Sequence, residues 1–88
     1  MTTETSTMRQ ITDEHGRTWD VIADPATVAH RRRGARLSFR LADDAQGALL
    51  ATPVEFNSDR AADLAIRTMS LHELRRRLQW AMTDAGVR

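Results

Sequence analysis

Residues Met69 to Arg88 read MSLHELRRRLQWAMTDAGVR, and this stretch sets the terms for the rest of the chain. Ser70 is a residue type that caps a helix start, and Glu73, three positions on, can reach back to the Ser70 amide. Met69 before the cap and Leu74 after it have the spacing of a hydrophobic staple. Leu71, Leu74, Leu78 and the pair Ala81/Met82 then recur at helical spacing, and Gly86 supplies a permissive stop. The pattern predicts a capped helix with one apolar stripe, suited to lie across a sheet. Trp80 does not belong to that stripe. At about 100° per residue it falls opposite Leu71 and Met82, on the side of Glu73, Arg76, Arg77 and Asp84.

Working back from this helix, Ala61, Ala62, Leu64, Ala65 and Ile66 predict a second, shorter one, capped by Asn57 or Ser58 and running to about Arg67. Its polar stripe is Arg60, Asp63 and Arg67, with Asp63 and Arg67 at the spacing of a favourable acidic-then-basic pair. A helix apolar around most of its circumference calls for burial on two sides, against the sheet and either the last helix or a second copy of the chain.

The first half of the chain reads as strands. Met8 to Thr12 and Thr18 to Ala23 flank Asp13-Glu14-His15-Gly16-Arg17, a hairpin turn with a glycine placed for positive φ. Alternation puts Trp19 and Val21 on one face and Asp20 and Ile22 on the other, with Trp19 in the core. Asp24-Pro25 breaks the pattern, and a long loop to Ala35 is expected, with at most a helical turn at Thr27 to His30. Arg36 to Ala42 alternates Leu37, Phe39 and Leu41 with Arg36, Ser38 and Arg40, the signature of a sheet with one dry face. A turn at Asp43 to Gly47 leads to a fourth strand, Ala48 to Phe56. Pro53 lacks an amide donor, so that strand belongs at an edge or is bulged there.

The order β-β, loop, β-β, α-α gives an α+β fold: a small antiparallel sheet of about four strands in two hairpins, followed by two C-terminal helices on one face. Residues 1–7 read as a disordered tail and residues 8–88 as one domain, because a chain of 88 residues cannot build two cores. Leu64, Leu71, Leu74, Leu78 and Met82 are expected to cover Trp19, Val21, Leu37, Phe39 and Leu41.

Composition narrows the function classes. Without a cysteine there is no disulfide, thiolate metal site or thiol nucleophile. His15, His30 and His72 show no ligand spacing, and no phosphate-cradling glycine loop or nucleophile elbow is present. The expectation is a protein without catalytic activity, metal or cofactor. A concave pocket holding His15 or His30 beside a buried carboxylate would reopen the question. No apolar run reaches the roughly 20 residues of a membrane span, and the N-terminal residues lack a signal-peptide pattern, so a cytoplasmic, bacterial-type setting is expected.

Two surfaces remain. Arg76, Arg77 and Trp80 can place two guanidinium groups against one indole, a combination frequent at protein interfaces. A small binding module that contacts a protein partner or a second copy of itself through the C-terminal helix follows from it. The alternative is a nucleic-acid-associated protein whose Arg31, Arg32, Arg33, Arg36 and Arg40 touch phosphates. All thirteen basic side chains are arginine, yet the net charge is only +1, so that alternative is the less favoured. The competing reading of each is plain: a solvated cationic loop, and a surface tryptophan shielded by its neighbours.

Overall fold

The computed structural model describes residues 9–28, 32–44, 46–47 and 49–86. Four strands, β1 (Arg9–Thr12), β2 (Thr18–Val28), β3 (Arg32–Leu41) and β4 (Leu50–Phe56), precede helices α1 (Asp59–Thr68) and α2 (Leu71–Ala85). The strands form one antiparallel sheet in the order β1-β2-β3-β4, with both helices on one face, so the α+β fold is as the sequence predicts. The expected tail lies outside the described residues. No described helix is long and apolar enough to cross a membrane.

The dry face is built from alternation. Ile11, Trp19, Val21, Leu37 and Phe39 are buried there against Ile66 of α1 and Leu74, Leu78 and Ala81 of α2. Met69, at the joint between the helices, and Met82 pack against the same cluster. Two expected members are absent from it. Leu64 is 57% exposed and Leu71 41%. In α1 the buried residues are Ala62 and Ile66, one turn apart, and Leu64 lies about 200° around the helix from Ala62. Ile66 fills the place assigned to Leu64, and the α2 stripe takes hold only from Leu74.

The largest difference from expectation is at Asp24-Pro25. No loop begins there: β2 continues to Val28 and pairs with β3 as far as Val28↔Arg32, with Pro25 opposite Ala35. Ladder phase explains how the proline is tolerated. The Ala42 amide donates to the Thr18 carbonyl at 3.0 Å, which makes Thr18 and Ala42 a hydrogen-bonded pair. Alternation from that pair makes Pro25 and Ala35 a non-hydrogen-bonded one, whose amides point away from each other. The donor that proline lacks would therefore face the β1 side, where the described ladder ends at Arg9↔Val21. Among the described residues nothing pairs with β2 on that side at Pro25, and a missing donor there costs no described ladder bond.

At β4 the expectation for Pro53 holds in both forms. The strand is at the sheet edge, and its register shifts between Arg36↔Glu55 and Ser38↔Ala51. The buried Thr52 hydroxyl donates to the Leu37 carbonyl at 2.8 Å and accepts from the Val54 amide at 3.1 Å. A side chain thus stands in for ladder bonds where the backbone cannot supply them.

Candidate interaction surface on the C-terminal helix

Helix α2 is held from both ends. Ser70 Oγ accepts from the Glu73 amide at 3.0 Å, and Gly86, at φ 74°, closes the other end with its amide directed to the Met82 and Thr83 carbonyls. The return half of the expected capping box is not made. The Glu73 carboxylate turns outward, accepting from Arg77 Nε at 2.8 Å and standing 3.5 Å from an Arg76 nitrogen. Both guanidinium groups are thereby steadied over the next turn. Their central carbons lie 4.9 Å (Arg76) and 5.4 Å (Arg77) from the centre of the Trp80 ring.

The three residues singled out from sequence are thus brought together, with Glu73, read from sequence as a capping partner, as their organiser. Its spacing to Arg77, four residues with the acid first, was the available signal. Even beneath two guanidinium groups Trp80 is 53% exposed, whereas Trp19, the other tryptophan, is 3% exposed. Beside Trp80 runs a groove of about 250 Å³ between α2 and the edge strand. Ala51, Thr52 and Pro53 form one wall; Arg77, Trp80, Ala81, Thr83 and Asp84 form the other. Pro53 and the register shift make β4 a poor template for an added strand, so a partner would meet this edge through side chains.

The other arginines are placed differently. Arg31 lies outside the described residues, and the backbones of Arg32 and Arg33 pair with Val28 and Thr27 along the β2–β3 hairpin. Arg36 and Arg40 are on the sheet face away from the helices. Arg36 bonds Glu55 at 2.6 Å and has Asp24 as its ladder partner, while Arg40 stands opposite Asp20. Each is flanked by carboxylates that compete with a phosphate. Ile22 and Ser38 are buried on this same face, which was expected to be wet. The Nε atoms of Arg36 and Arg40 are buried too, so these side chains lie down over the sheet and their stems shield what is beneath.

At the hairpin turn read from Asp13 to Arg17, the aspartate side chain is packed inward. Only 5% of the Asp13 side chain is exposed. Its carboxylate accepts from Trp19 Nε1 at 2.9 Å, from the His15 and Arg17 amides at 2.8 and 3.0 Å, and from Arg17 Nε at 3.0 Å. Burial acts to raise its pKa, but these donors outweigh it and lower the value from 3.8 to about 2. A cavity of about 100 Å³ lined by Asp13, Glu14, His15, Arg75, Leu78, Gln79 and Met82 adjoins it. Pocket, histidine and carboxylate do coincide here. The volume is nevertheless well below the roughly 300 Å³ of a small ligand site. With its acceptor capacity spent on the turn, Asp13 stays ionised at neutral pH, suited to holding structure and not to moving protons. Arg75 donates to the Thr12 carbonyl at 3.0 Å and ties α2 to β1.

Compared with protein-family models, characterised proteins and solved structures, the chain matches none.

Proposed function

We propose that the chain is a small, non-catalytic binding module that engages a protein partner or a second copy of itself in a cytoplasmic setting. Arg76, Arg77 and Trp80 on the outer face of α2 are its contact residues, and the β4 edge is the second wall. The observation that carries this reading is the Trp80 indole, half exposed under two ordered guanidinium groups and beside an open groove. Tryptophan and arginine dominate the binding energy of protein interfaces, and both are here presented on a rigid, capped helix. Fixing the arginines to Glu73 and to the ring in advance reduces the ordering cost that association would otherwise carry.

Photo-crosslinking tests this. A benzophenone side chain at position 80 or 77 should give a discrete adduct in cells that make the protein, and one at Gln10, on β1, should not. Absence of adducts from both helix positions would end the reading.

A second reading, phosphate contact through Arg31, Arg32 and Arg33, is favoured by one observation: the backbones of Arg32 and Arg33 stand at the far end of the described β2–β3 ladder. Replacing the three with Ala should then weaken binding to every nucleic-acid sequence about equally and flatten its salt dependence. Failure of the wild type to shift DNA or RNA at low salt rejects it.

A further inference from the structure

Trp80 sits at the middle of a short charge pattern. Arg76 precedes it by four residues and Asp84 follows it by four, so all three share one stripe of α2, with about 6 Å of helix axis between neighbours. Arg76 has a 3.5 Å approach to Glu73 and lies over the Trp80 ring, which leaves its charge without a close ion pair, and Asp84 makes no salt bridge among the described residues. Positive, aromatic and negative groups in that order are complementary to the same stripe running the opposite way. A twofold axis beside Trp80 would bring the two indoles together, each keeping its own guanidinium cover, and set Arg76 of each copy beside Asp84 of the other. Arg77 and Thr83 would face one another beside them. Every contact then occurs twice, as an isologous interface requires. Leu64, the exposed apolar side chain of α1, lacks this property, since Asp63 and Arg67 beside it already pair with each other at 2.7 Å.

We infer that the occupant of the α2 surface is a second copy of this chain, docked antiparallel about Trp80 with reciprocal Arg76–Asp84 pairs. The inference rests on the interface reading above and commits it to one partner. A contact confined to one face of a single helix makes a concentration-dependent dimer, not a permanent one.

Sedimentation equilibrium with charge-swapped variants tests it. Wild type should move from 9.9 kDa toward twice that mass as concentration rises. Trp80→Ala should weaken association roughly thirtyfold or more. R76D and D84R should each be monomeric, because each sets like charges face to face twice. An equimolar mixture of the two, or the double variant R76D/D84R, should regain the dimer. These positions are on the helix surface, and circular dichroism should show all variants folded. A wild type that stays monomeric to about 1 mM overturns the inference, as does a dimer indifferent to the swaps. Crosslinks from position 80 separate the two claims: an adduct of twice the chain mass supports the second copy. An adduct of any other mass overturns it while leaving the interface reading in place.

Discussion

At the scale of single residues, Asp13 shows how much one buried carboxylate can organise. It spans the β1–β2 turn, holds the Trp19 indole from the side and fixes Arg17, whose guanidinium lies 5.6 Å from the Trp19 ring centre. Because its pKa is lower in the folded chain than the ordinary 3.8, the stabilisation it gives is fully present above that value. It is lost as pH falls through about 2. The shift corresponds to about 2 kcal/mol, so urea midpoints should drop across that acid window and stay level from about pH 5 to 7. Asp13→Asn should cost about 2 kcal/mol at neutral pH and remove most of the acid dependence. A variant whose acid limb matches wild type would show that other carboxylates set it. The sequence offered a turn signal here and nothing more. Whether a turn aspartate faces water or a nearby strand tryptophan depends on hairpin twist, which spacing alone does not encode.

At the scale of elements, what was legible in the sequence was periodic, and what was not depended on a neighbour. The Ser70 and Gly86 ends of α2, the Asp63–Arg67 pair and the apolar phase of Leu37 and Phe39 in β3 are properties of the local chain, and each appears as expected. Pro25 reads locally as a break. It is accommodated by its ladder phase against β3, a non-local fact. The roles of Leu71 and Leu64 likewise depended on where the helices begin to touch the sheet. Truncation separates these cases. Leu74→Ala should cost roughly 2 to 5 kcal/mol, the usual range for a fully buried leucine, and Leu71→Ala well under about 1 kcal/mol. Equal costs would place the apolar stripe of α2 one turn earlier. Gly86 separates backbone conformation from packing, since its φ is 74° and nothing lies within 4 Å of where a Cβ would stand. Gly86→Ala should therefore lower stability by about 1 kcal/mol through backbone strain alone, a loss that urea unfolding can measure.

At the scale of the whole molecule, the sheet has two faces with different work. One is apolar and roofed by helices; the other carries Asp20, Asp24 and Glu55 against Arg36 and Arg40. The candidate surface lies on neither, but on the outside of the roof, at the sheet's β4 edge. That position was legible only in part: the tryptophan's helical phase could be read, whereas the wall formed by Thr52 and Pro53 required the fold. Such a surface is useful only if the roof is rigid, and Arg9 joins roof to sheet. From β1 its guanidinium donates to the carbonyls of Ile66 and Met69, at 3.0 and 2.5 Å, linking the first strand to the joint between the helices. These are carbonyls at the end of α1, where acceptors go unpaired and positive charge is favourable. Arg9→Met keeps an apolar stem and removes the donors. It should lower stability by about 2 kcal/mol and speed hydrogen exchange in the last turn of α1 and the first of α2. Exchange in the β2–β3 ladder should change only as far as global stability does. If the two regions instead lose protection together and by equal amounts, Arg9 stabilises the molecule as a whole and does not serve as a clamp on the joint that carries α2.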